Sequence, residues 1–157
     1  YPEMRKLAGP CVAPPPSVLL VSSENEARSL LQSILQKAQC RTFVCSRCRD
    51  AIDLIHLASV VICERFLPDG SWLDVLRAAQ ALTKAPNLIV TSRLADTALW
   101  AEVLHLGGHD VLGQPFQAEE VMWVVRSAHG RYVGLPEAPS EGSTERVRSA
   151  LPAHVLR

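Results

Sequence analysis

Net charge is the first thing this sequence lacks. Lys and Arg together number 16, and so do Asp and Glu, so no bulk field draws the chain to nucleic acid or to an anionic membrane. Long hydrophobic runs are absent as well: apolar stretches reach four to five residues, against the roughly 20 that a membrane-spanning helix needs. Met4, Arg5 and Lys6 lie near the start, but no apolar stretch follows them as a secretory signal requires. We therefore expect a cytoplasmic protein that makes no membrane contact and binds no nucleic acid through this chain.

A disulfide framework is missing too. The five cysteines, Cys11, Cys40, Cys45, Cys48 and Cys63, are an odd number, and a domain within 157 residues buries a core without staples. Free thiols in a reducing compartment are the simpler expectation. No phosphate-cradling glycine loop follows the first apolar run, and no Ser-His-Asp or Cys-His arrangement can be argued from spacing. Nothing in the pattern marks an enzyme or a cofactor site. One chemical motif does stand out: Cys45-Ser46-Arg47-Cys48 lies between a predicted strand and a predicted helix. A helix N-terminus favours thiolate, so a thiol-redox protein using Cys45 and Cys48 is one alternative. A zinc site would need further ligands, for which Cys40 and His56 are the near candidates. Incidental thiols are the plainer expectation.

What is present is an ordinary globular composition, 48% hydrophobic and 20% charged, in a repeating order. Residues 1–16 hold Pro10, Pro14, Pro15 and Pro16 without apolar periodicity and read as a flexible leader. Residues 133–157 turn to Gly, Pro, Ser and charge and read as a flexible tail, with one or two helical turns over Thr144–Leu151. Between them, in residues 17–132, strand and helix alternate. Continuous apolar runs at Val18–Val21 and Val60–Cys63 predict strands of the kind buried on both faces of a parallel sheet, and Thr42–Val44, Leu88–Val90 and Val111–Leu112 predict further, shorter strands.

The intervening stretches predict helices. Ser22 or Ser23 is expected to cap the first, which runs to about Ala38 with Ala27, Leu30, Leu31, Ile34 and Leu35 at helical spacing. The second covers Arg49–Ala58 with Ile52 and Ile55 inward, and the third covers Trp72–Thr83 after a turn at Leu67-Pro68-Asp69-Gly70. The fourth covers Asp96–Leu106 and stops at Gly107, and the fifth covers Glu119–His129. Five strands alternating with five helices predict a doubly wound α/β fold with a parallel sheet and helices on both faces.

Three segments then carry a resemblance. The sharpest is Glu64-Arg65-Phe66-Leu67-Pro68-Asp69-Gly70-Ser71-Trp72-Leu73-Asp74-Val75-Leu76. With it go the strand, acidic loop and Glu-Ala-Arg-x-Leu-Leu within Val18–Leu31, and the stretch Gly107–Phe116. Together they resemble the receiver domains of two-component response regulators, over about Ser17–His129. The resemblance implies a flavodoxin-like sheet of strand order 2-1-3-4-5, with functional groups gathered beyond the carboxyl ends of the strands. Those ends are Ser22, Ser23, Glu64, Thr91 and Gln114.

In the family, an acidic pair and an acceptor Asp hold Mg²⁺ for aspartyl phosphorylation in a phosphorelay. Here the acidic pair aligns with Ser22 and Ser23, and two neutral hydroxyls do not replace two carboxylates around a divalent cation. Glu24 follows one position too late unless the loop shifts. Metal binding is therefore not expected. Glu64 stands at the phosphoacceptor position, one methylene longer than Asp; it either mimics a phosphorylated Asp or has drifted after activity was lost. Gln114 replaces the family's Lys and keeps hydrogen-bond donors without charge. Thr91 is retained, while Val111 replaces the switch aromatic, which a β-branched side chain cannot imitate.

The expectation is a pseudo-receiver: a protein–protein interaction module in signal transduction that is not phosphorylated. Its partner would be a signalling kinase, regulator or output protein, or a second copy in a homodimer. Trp100 and Leu104 on the fourth helix and Met122 and Trp123 on the fifth are the candidate interface, with burial of either Trp in the core as the competing expectation. The rivals are a receiver still phosphorylated in a phosphorelay, the thiol-redox protein, and a fragment of a longer regulator.

Overall fold

The structure, a computed structural model, describes residues 14–134. Most of the predicted leader, the tail beyond 134 with its turns at Thr144–Leu151, and Cys11 lie outside the described residues. The sheet has five parallel strands: β1 (Ser17–Val21), β2 (Arg41–Cys45), β3 (Val60–Glu64), β4 (Asn87–Ser92) and β5 (Asp110–Gly113). Their order is β2-β1-β3-β4-β5, the doubly wound arrangement that the resemblance implies. The helices are α1 (Asn25–Lys37), α2 (Cys48–Leu54) with a 3-10 turn at Ile55–Leu57, α3 (Trp72–Gln80), α4 (Thr97–Leu106) and α5 (Ala118–Val133).

Alternation along each strand divides the core in two. Val18 and Leu20 of β1, Val60 and Ile62 of β3, Ile89 of β4 and Leu112 of β5 pack under α1 and α5. Leu19, Val21, Val61, Cys63, Leu88, Val90 and Val111 pack on the other face under α2, α3 and α4. Both faces are dry, which is why the strands read as unbroken apolar runs.

Local chemistry sets the helix ends. The hydroxyl of Ser71 accepts from Leu73 N–H at 3.3 Å while the Asp74 carboxylate accepts from Ser71 N–H at 3.0 Å, a reciprocal box that starts α3. Asp96 caps α4 by accepting from Leu99 N–H at 2.9 Å. Gly107, with φ 105°, closes α4 in the left-handed region that a side chain would strain.

Several boundaries and faces differ from the sequence expectation. The residue before α1 is Glu24, and neither Ser22 nor Ser23 caps the helix, because both hydroxyls are engaged elsewhere. Leu30 lies largely in water, and Ala51 with Ile55, not Ile52, faces the core from α2 and its 3-10 turn. α3 ends at Gln80 and α5 runs on to Val133.

The interface expectation is corrected at two residues. Trp100 is 6% exposed and joins Leu99 and Val103 in the core under α4, so that helix buries a wider arc than one stripe. Met122 is 8% exposed, because α5 packs on α1 as well as on β3 and β4. Leu104 is exposed, and Trp123 is half-buried against the α1–α5 core.

Candidate functional site

Parallel register brings the strand ends together. Val21 pairs with Cys63, Glu64 with Thr91, and Ser92 with Gly113, so Ser22, Glu64, Thr91 and Gln114 end their strands at one edge of the sheet. The Ser22 amide donates to Cys45 O at 2.9 Å, which pins the β1 end to β2. Ser22 and Thr91 are buried, Glu64 and Gln114 are half-buried, and Ser23 is exposed. Glu64, Thr91 and Gln114 line a cleft of about 280 Å³, and the Gln114–Pro115 peptide bond at its rim is cis.

The carboxylate of Glu64 does not stand free in this cleft. It folds back onto the loop between β1 and α1 and accepts from four donors there. Ser22 Oγ lies 2.5 Å from Oε2, Ser23 N and Ser23 Oγ each lie 3.0 Å from Oε1, and Glu24 N lies 3.3 Å from Oε2. Donors aimed at both oxygens satisfy an ionised carboxylate with no metal ion. The extra methylene of Glu relative to Asp gives the reach, and the two serines supply hydroxyl donors that two carboxylates could not. Across the cleft mouth, Glu24 pairs with Arg93 of the β4–α4 loop at 2.7 Å. The three loops beyond β1, β3 and β4 are thus tied by side chains.

The divalent cation implied by the resemblance does not fit this donor set. Mg²⁺ takes carboxylate oxygens and waters. Here one carboxylate is occupied by hydroxyl and amide donors and the second by a guanidinium. Among the described residues no group of three or more His, Cys, Asp or Glu side chains is placed to hold a metal ion. Val111 is not part of the cleft. It pairs with Val90 in the sheet and is fully buried in the core under α4.

The Cys45–Cys48 motif takes a different form from the one the sequence suggests. Asp69, in the turn after β3, accepts from Cys48 N at 2.7 Å and Arg49 N at 3.1 Å and so caps α2 from 20 and 21 residues away. The Cys48 amide, followed by burial against it and the Arg49 amide, leaves the Asp69 carboxyl below its ordinary value. That anion offsets the field of the helix N-terminus that would otherwise favour thiolate. Burial first, and the Asp69 charge after it, push the Cys48 thiol up to about 11; burial likewise pushes Cys45 to about 11. Cys40, Cys45, Cys48 and Cys63 are all free thiols. A Cβ at Gly70 would press on the Asp74 carboxylate and Cys48 Sγ, so one of these side-chain ends would have to shift to admit it.

Sequence reasoning found the five strand-end residues but missed the cap made by Asp69 and the cleft residues Arg65, Phe66, Arg93 and Leu94. The only signal available for Asp69 was its place in a Pro-Asp-Gly turn. The cleft residues carry no local pattern at all.

No family model matches the chain. Over 111 residues it is 32% identical to the transcriptional regulatory protein GltR of Pseudomonas aeruginosa, an alignment covering 68% of this chain and 46% of that protein. Over 135 residues it is 27% identical to protein PetR of Rhodobacter capsulatus, covering 83% of this chain and 54% of that one. The chain thus spans about half the length of these two relatives. Among solved structures, the signal receiver domain of a Luxo repressor protein from Vibrio parahaemolyticus superposes with a TM-score of 0.70 at 24% identity. That match covers 76% of this chain and 94% of that domain. The described sheet, its order and its helices are those of this neighbour: the protein has the fold of the response regulator receiver domains.

Proposed function

We propose that the protein is a receiver-type signalling module that works by binding another protein and is not switched by aspartyl phosphorylation. The observation that carries this reading is the latch on Glu64. Its carboxylate is occupied by Ser22, Ser23 and the Glu24 amide, in the place where the family holds a metal ion. The same latch weighs against Glu64 as a mimic of a phosphorylated Asp, because its hydrogen bonds go to the β1–α1 loop and not to Thr91 or Gln114. Gln114 offers no cation to a phosphoryl group, and Val111 has no ring to swing. With no acceptor chemistry to run, the module signals by contact; Leu104 and Trp123 remain available on α4 and α5 for a partner or a second copy. A redox role is disfavoured by two thiols with little thiolate at neutral pH. Among the described residues no helix is long and apolar enough to cross a membrane.

The test is an amide NMR titration with Mg²⁺ followed by beryllofluoride. Resonances of Ser22, Glu64, Thr91 and Gln114 that stay in place support the reading. Shifts that saturate would show a working phosphoryl site and defeat it.

A further inference from the structure

The cleft beyond β3 and β4 has a second wall that the Glu64 latch does not use. Phe66, two residues beyond β3 in a short strand Phe66–Leu67, is 69% exposed, and Leu94, in the β4–α4 loop, is 75% exposed. Both line the cleft of about 280 Å³, together with Arg65, Arg93 and Gln114. A single large apolar side chain in water is commonplace, but two from separate segments lining one cleft give a partner's apolar side chain two surfaces to cover.

The charges around that patch are not equivalent. Glu24 is matched by Arg93 at 2.7 Å, and Glu64 turns its oxygens to the β1–α1 loop. Arg65 has no ion pair among the described residues; its guanidinium carbon lies 5.1 Å from the centre of the Phe66 ring. A guanidinium resting on an aromatic ring keeps its donor fork free for a carboxylate, and the pair covers apolar surface at the same time. Arg and aromatic residues are the side chains that most often dominate the energetics of an interface.

We propose that this cleft is a docking site for a peptide segment of a partner protein in which an acidic side chain neighbours a large apolar one. The carboxylate pairs with Arg65, and the apolar side chain seats against Phe66 and Leu94. A basic segment is disfavoured by Arg65, whose charge has no ion pair among the described residues. The inference rests on the reading that the module acts by binding protein, and it specifies the chemistry of that partner.

The test is a display selection of random peptides of about 12 residues on the full 157-residue chain, without Mg²⁺ or any phosphodonor. Enriched peptides are then measured against the chain and its Arg65→Glu and Phe66→Ser variants. The expected result is enrichment of sequences pairing Asp or Glu with Leu, Ile or Phe, and a loss of about tenfold or more in affinity for each variant. Phe66 is exposed and Arg65 half-buried, and dispersed amide spectra would show that the variants remain folded. Enrichment of basic peptides, equal affinity for chain and variants, or no enrichment would each overturn the docking site. A response to beryllofluoride in the separate titration would defeat the phosphorylation-independent reading and leave this result standing.

Discussion

The hydroxyl of Ser22, at the end of the first strand, donates to Glu64 Oε2, at the end of the third, across 2.5 Å. The residues are 42 apart in sequence, and each substitution relative to the receiver pattern makes sense only with the other. Two carboxylates facing a third would need a cation between them; two hydroxyls facing one carboxylate need none.

Removing the carboxylate tests the latch directly. Ser22 is 1% exposed, so Glu64→Ala leaves a buried hydroxyl without its charged acceptor. The expected cost is about 1–3 kcal/mol in urea denaturation. Ser22→Ala in the Glu64→Ala background should then add little, because the two residues share one interaction. Full additivity in that cycle would mean that no coupling exists.

The cap on α2 should show itself in the pH dependence of stability. The folded-state value of Asp69 is depressed by the Cys48 amide, so its contribution is present above the ordinary carboxyl value of 3.8 and is lost as pH falls through the folded value. Asp69→Asn should therefore be less stable than the parent near pH 6, and the gap should narrow as pH falls below 3.8. A stability difference that does not change with pH would rule out the charge as its source.

The half-buried thiol of Cys45 should react slowly. With its value pushed up to about 11 from an ordinary 9.0, its thiolate fraction at pH 8 falls about a hundredfold. Alkylation by iodoacetamide, followed at Cys45 by mass spectrometry, should be slower than for a denatured control by about that factor and should accelerate with pH. A rate equal to the denatured control would reopen the redox role.

Trp100 should behave as core and Leu104 as surface. Trp100→Ala is expected to cost about 3–5 kcal/mol, and Leu104→Ser to stay within about 0.5 kcal/mol. Measured by denaturation, the reverse order would place Trp100 outside the core.

The fold was legible because a parallel sheet buried on both faces leaves an unmistakable trace. Val18–Val21 and Val60–Cys63 have no polar alternation to confuse them, and Gly107 and Asp96 mark the ends of α4 by chemistry that needs no distant partner. The strand-end residues of the site followed from the same pattern, since connectivity alone brings the ends of β1, β3 and β4 to one edge. The burial of Trp100 and Met122 was not legible. Helical spacing gives the centre of a buried stripe, but its width depends on how many neighbours the helix touches, as α5 does with the sheet and α1 together.

By itself, then, the sequence determined the strand–helix order, because that is written in residue type and spacing; the strand order and the loss of the acidic pair and the lysine were what its resemblance to the receiver domains implied. Only the tertiary structure decided what Glu64 does with its charge, that Asp69 caps a helix 21 residues before it, and that Arg65, Phe66 and Leu94 share one cleft. These are meetings of side chains from separate loops. Their energies depend on distance and direction, which no local pattern in the chain records.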